Sequence, residues 1–267
     1  MMTEANWLAW GTPHWLLSFI ADPHPVLASE QSVTILTERR LRLFLVGCCR
    51  RQWDLFCDPI CKRAVEVAER YADGLATEGD LEAASRDAQD LGDRIRMEER
   101  PWPNDHSLRQ HIANAAIMVG WSYAELTRPK RLDGAVPPEA ACPRGVRGLT
   151  ADRCLDEVAR ALDWLSADRR ARTQQDATEE ATQAALLRCI AGNPFRPVIF
   201  SPEWRTETAV LLARQMYESR DFSLMPILAD ALQDAGCEDE QILSHCRDPQ
   251  GTHVRGCWVV DWVLGKE

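Results

Sequence analysis

From Thr37 to Phe56 the chain reads TERRLRLFLVGCCRRQWDLF. Leu41, Phe44, Leu45, Cys48, Leu55 and Phe56 recur at helical spacing, and Arg39, Arg40, Arg50 and Arg51 fall largely on the opposite side. A stripe of this period cannot sit in a sheet, where burial alternates every second residue. The same signal returns along the chain, cut at intervals by Pro and Gly. In DPICKRAVEVAERYADG, Asp58 is placed to cap a helix, Pro59 to occupy its first position and Gly74 to end it. TEGDLEAASRDAQDLGDRIRMEER is a polar helix with a thin apolar stripe, closed before Pro101 and Pro103, and DHSLRQHIANAAIMVGWSYAEL is another amphipathic one. The stretch from Ala151 to Gly192 suits one long helix or two in succession. TETAVLLARQMYESRDFSLMPILADALQDAG suits two helices joined near Arg220 and Asp221. CEDEQILSHC adds a short one. Strand-forming runs are too few for a parallel sheet, so the expected fold class is all-α, an irregular multi-helix bundle.

Between Thr127 and Thr150 the sequence is rich in Pro, Gly and Arg and has no sustained period. It is the natural internal boundary: an N-terminal helical bundle over 1–127, a connector over 128–149 and a C-terminal helical region over 150–267, possible as one continuous domain with the first. NPFRPVIFSPEW is also non-helical, since Pro194, Pro197 and Pro202 force extended or turn backbone. Its Phe195, Val198, Ile199, Phe200 and Trp204 are too apolar for a free linker.

The net charge is −10, which argues against nucleic acid and anionic membrane surfaces as partners. No apolar run approaches a membrane span and the N-terminus lacks the pattern of a signal peptide. A cytoplasmic location is therefore expected, with the ten cysteines as thiols. Phosphate-cradling glycine motifs, H-E-x-x-H and G-x-S-x-G are absent from the sequence.

LRLFLVGCCRRQW, KRAVEVAERYADGLAT, GNPFRPVIFSPEW and HVRGCWVVDWVLGKE together resemble a family of largely helical proteins of planctomycete bacteria that has no assigned activity. The resemblance implies a helical fold and a bacterial cytoplasmic setting, and it carries over no catalytic residue. LLARQMYESRDFSLMPILADAL resembles a degenerate tetratricopeptide helix pair through Leu212, Ala213, Tyr217, Phe222 and Ala229, with Pro226 a departure from that pattern. It implies helical-hairpin packing in the C-terminal half.

Chemistry concentrates in HCRDPQGTHVRGCW, His245 to Trp258. Cys237, Cys246, His253 and Cys257 make a candidate Cys3His zinc set, with His245 as a substitute ligand, since zinc takes four thiolate or imidazole ligands. C-x2-C pairs are missing, and adjacent His245 and Cys246 would point apart. A helix capped by Thr252 and ended by Gly265 would put His253, Cys257 and Asp261 on one face. Asp261 would lie beyond Cys257 rather than behind His253, an order that fails as a catalytic triad. Asp261 among Trp258, Val259, Val260, Trp262 and Val263 is a carboxylate in an apolar helix, and it needs a partner. Arg50, Arg51 and Arg255 are candidates, with Arg247 and the other arginines of 39–51. The Arg39–Arg51 cluster itself reads first as a solvated face and second as a site for an acidic peptide or phosphate. Trp7, Trp10 and Trp15 could form an exposed docking patch.

The leading expectation is a non-catalytic interaction or scaffold module with a protein partner and no resident cofactor. The alternatives are a zinc-binding protein built on the C-terminal Cys/His set and an enzyme of unrecognised type.

Overall fold

The computed structural model describes residues 3–11, 13–21, 37–97, 112–117, 120 and 169–266. The expected connector over 128–149 lies outside them. Among the described residues there are ten α-helices and no strand, so the protein is an all-α, multi-helix structure. The helices are α1 (Glu4–Ala9), α2 (Pro13–Ala21), α3 (Glu38–Arg51), α4 (Pro59–Ala72) and α5 (Glu78–Met97). After them come α6 (Arg169–Ala191), α7 (Glu207–Ser219), α8 (Met225–Asp234), α9 (Glu240–Arg247) and α10 (Trp258–Leu264). None of these is long and apolar enough to cross a membrane.

The helix ends follow local chemistry. Thr37 accepts from the Arg40 amide at the start of α3. Asp58 accepts from the Ile60 amide with Pro59 behind it. Past the end of α4, Gly74 has φ +70°, and the Leu75 amide turns back to the Arg70 carbonyl, a left-handed cap that glycine adopts without strain. Pro226 falls in the first turn of α8 rather than inside it. Its missing N–H has no helical partner there in any case.

Two apolar clusters meet along α6. The first gathers α2–α5, the 112–117 segment and Ala184, Leu186, Leu187 and Ile190 of α6. The second gathers α7–α10 with Cys189, and Val254 packs against both. Arg188 donates to the Trp7 and Trp10 carbonyls, tying α1 to the same end of α6. Trp7 is buried at 1% exposure, so it belongs to the core and not to a docking patch. Trp10 is exposed.

The arginines of α3 are not a solvated face. Arg42 is fully buried and Arg40 nearly so. Their side of the helix is covered because α3 packs between α4 and α6 while α10 and the 252–257 turn close over it. Buried guanidinium groups persist only with counter-ions: Arg42 pairs with Glu38 at 2.7 Å, and buried carboxylates serve Arg39, Arg50 and Arg51. Arg39 donates to Asp261 at 2.5 and 3.1 Å, and also to Asp73 and Tyr217. Asp73 takes Arg255 and Lys266 besides. Glu69 takes Arg50 at 2.7 Å, Arg220 at 2.5 Å and Arg255 at 3.6 Å. Arg51 reaches Glu179. Asp261 is thus the buried, paired carboxylate expected, but its partner is Arg39. Arg50, Arg51 and Arg255 serve Glu69, Glu179 and Asp73, and Arg247 serves Asp230.

Burial alone would raise the Glu69 carboxyl, but the hydrogen bond from Arg220 and the charges of Arg50, Arg220 and Arg255 hold it below its ordinary value. A depressed carboxylate stabilises the fold above its unfolded pKa, and that contribution disappears as pH falls through the folded value. Arg220→Gln is therefore expected to destabilise most near pH 7. The gap to the parent protein should narrow as pH falls through the acid range. Thermal melts across pH 3–7 check this, and a gap that widens in acid would refute it.

Candidate metal centre

Four chain segments bring one ligand type each to a common point. Cys189 lies in the last turn of α6, just before Gly192 (φ +71°), whose amide returns to the Arg188 carbonyl. The Trp258 ring packs over Gly192, 3.5 Å from where a Cβ would stand, which is ordinary contact distance. That contact seats the start of α10 on the end of α6. His245 is in the last turn of α9, a helix started by Asp239, which accepts from the Gln241 and Ile242 amides. His253 comes from the turn between α9 and α10, and Cys257 is the N-cap residue of α10.

The ligand atoms of Cys189, His245, His253 and Cys257 all lie within 4.8 Å of one another. His245 Nε2 is 3.2 Å from Cys257 Sγ, and His253 Nδ1 is 3.9 Å from Cys189 Sγ. The two imidazoles meet edge to face at 4.8 Å, and His245 also packs on Trp258. With Zn–S near 2.3 Å and Zn–N near 2.1 Å, the edges of a tetrahedral Cys2His2 site are about 3.4–3.8 Å. The pairs at 3.2 and 3.9 Å bracket that range, and the full set lies within 4.8 Å, so the ligands would draw in around an ion. Two thiols and two imidazoles are a borderline-soft donor set, suited to zinc and unsuited to magnesium or calcium.

The electrostatics favour a thiolate. Burial would raise Cys257, but the hydrogen bond from Cys189, the charge and hydrogen bond of His245 and a hydrogen bond from His253 hold it well below its ordinary value. Burial, then the hydrogen bond with Cys257 and its charge, push Cys189 up in turn. One proton is thus shared out unequally between two close sulfurs, and a cation between them would release it. Cys189 and His245 also line a cleft of about 590 Å³, which gives an ion a way in.

The expected set changes in two positions. His253 and Cys257 belong to the cluster, and His245 takes part as the substitute ligand. Cys237 and Cys246 do not take part: both are buried in the α7–α10 core, where burial raises their thiols. Cys246 follows His245 on one helix, so its side chain points about 100° away. Cys189 completes the set. Its only sequence signal is a cysteine in the final turn before a helix-ending glycine.

The helix expected from Thr252 does not form. Residues 251–254 are extended or irregular, 255–256 turn, and α10 starts at Trp258. Gly256 has φ +90°, and a Cβ there would sit 2.9 Å from Leu43 Cδ1. That packing on α3 holds the turn open, so His253 and Cys257 are not one helical turn apart. Gly251 is constrained in a similar way. A Cβ on it would stand 2.9 Å from His253 Nε2 and 3.0 Å from the Asp248 carbonyl oxygen. Gly251→Ala is expected to swing the His253 ring and weaken metal affinity about tenfold, as groups that orient a ligand do. Competition with a chromophoric chelator measures it, and unchanged affinity would refute the positioning role.

No family model matches the chain, and no curated protein or solved structure matches it.

Proposed function

We propose that this is a zinc-binding protein in which Cys189, His245, His253 and Cys257 hold one structural metal ion. The observation that carries the reading is the convergence of two thiols and two imidazoles, from four segments, within 4.8 Å. Four protein ligands fill a tetrahedron and leave no position for a substrate, which supports a structural rather than a catalytic ion. The ion would pin the end of α6 to α9, to the 248–257 turn and to α10. The bacterial cytoplasmic setting implied by the planctomycete resemblance belongs to the same proposal, because a reducing compartment keeps both sulfurs available as ligands.

Elemental analysis of protein purified without chelator tests it. About one zinc per chain is expected, together with its loss from Cys189→Ser and Cys257→Ser. Cys237→Ser and Cys246→Ser should keep it. Cobalt substitution adds a geometric readout, a tetrahedral visible spectrum with thiolate charge transfer. A metal-free protein, or one whose metal survives Cys257→Ser, overturns the reading. The interaction-module reading, which led on sequence alone, comes second here, supported by Leu8 and Trp10, which are exposed on and just after α1.

A further inference from the structure

We propose that a second site, the cavity between α3, α4 and the 252–257 turn, binds a small phosphate monoester with an apolar body. The cavity has a volume of about 330 Å³, a size suited to a small ligand. Its polar wall is Arg50, Arg51, Arg220 and Arg255 around Glu69, and its apolar wall includes Leu43, Val46, Val254, Trp53 and Phe222.

Three observations point to a dianion. Arg50 and Arg255 each keep a buried Nε–H with no acceptor, although their terminal nitrogens are engaged. A buried donor without an acceptor is costly; both lie beneath the cavity surface, so an oxygen would reach them once the guanidinium groups turn toward it. The connected ion network is also unbalanced. Among the described residues, Arg39, Arg50, Arg220, Arg255 and Lys266 form their ion pairs with Glu69, Asp73 and Asp261. Five cations against three carboxylates leave a surplus of two, on a chain whose net charge is −10. Glu66, on the exposed side of α4, is a further carboxylate acting on Arg220 from outside the cavity. A phosphate monoester carries about −1.5 to −2 near pH 7, and guanidinium forks match its oxygens. Third, Arg50 is stacked on Trp53 at 4.1 Å, so its guanidinium is held at the cavity before any ligand arrives.

The cavity shares its 252–257 wall, His253 included, with the proposed metal site, so the titrations are run on protein whose zinc content has been measured and again after chelation. Isothermal titration calorimetry of the full chain with phenyl phosphate, at low ionic strength, tests the proposal. Saturable one-to-one binding is expected, with benzoate at least tenfold weaker because it brings one charge. Arg220→Gln should weaken phenyl phosphate at least tenfold. Gly47→Met fills the cavity from α3 and leaves every arginine in place, since a Cβ at Gly47 meets only Val254, at 3.9 Å. It should abolish binding, with helicity matched to the parent by circular dichroism. No saturable binding, benzoate binding as tightly as phenyl phosphate, or affinity unmoved by Gly47→Met would each overturn the proposal.

Discussion

Stripping the metal is expected to lower the melting temperature by about 10 °C and to loosen one end of the molecule rather than unfold it. The size follows from linkage. A ligand at a thousand times its Kd stabilises the native state by about 4 kcal/mol, and a domain of this size shifts by roughly 2–4 °C per kcal/mol. The locality follows from packing. Both apolar clusters are built mainly from residues that touch no ligand, and the α7–α10 core retains Met216, Leu228, Leu232, Ile242 and Val260 without metal. What the ion adds is a further tie on the 248–257 turn, whose residues from Gln250 to Arg255 are exposed or half-buried. Hydrogen exchange should therefore rise in 248–257 and at the start of α10 after chelation, with α3 and α4 unchanged. Readdition of zinc should restore both melting temperature and protection. A melting temperature indifferent to chelator, in protein shown to have lost its zinc, would defeat the structural role.

The helix boundaries were legible because they are set within a few residues. Asp58 with Pro59, Thr37, Gly74 and Gly265 each act on the nearest turn, and no distant contact is needed to predict them. The class followed for the same reason. What failed depends on residues remote in sequence. The turn at 252–257 is decided by Leu43 against Gly256, a contact across most of the chain, so a local reading of Thr252 as a cap was defeated by tertiary packing. The α3 arginines showed amphipathic spacing, but periodicity records only that two faces differ. It does not say that the polar face is covered too, by acids at positions 69, 73 and 261. The metal site was half legible. The 245–258 stretch is dense in ligand types, and adjacent His245 and Cys246 could not both serve. Deciding which one faces the site required Cys189, which α6 brings from far upstream.

The buried ion network predicts an asymmetry that a list of its contacts would miss. Arg39→Met is expected to cost about 3–5 kcal/mol, the scale for stranding one member of a buried ion pair. Asp261 is fully buried and Arg39 is the cation bound to both of its oxygens. Burial already pushes its carboxyl above the ordinary value, and the Arg39 hydrogen bond and charge are what pull it back. Asp261→Leu removes the other member and should cost much less, about 1–2 kcal/mol, because Arg39 keeps Asp73 and Tyr217. Combining the two should cost no more than Arg39→Met alone, since the stranded carboxylate is gone and Asp73 still has Arg255 and Lys266. Urea denaturation of the four proteins gives the cycle and its coupling energy directly. Equal costs for the two single changes, or strict additivity in the double, would mean that Asp261 is not held by Arg39. A cation elsewhere in the network would then have to neutralise it.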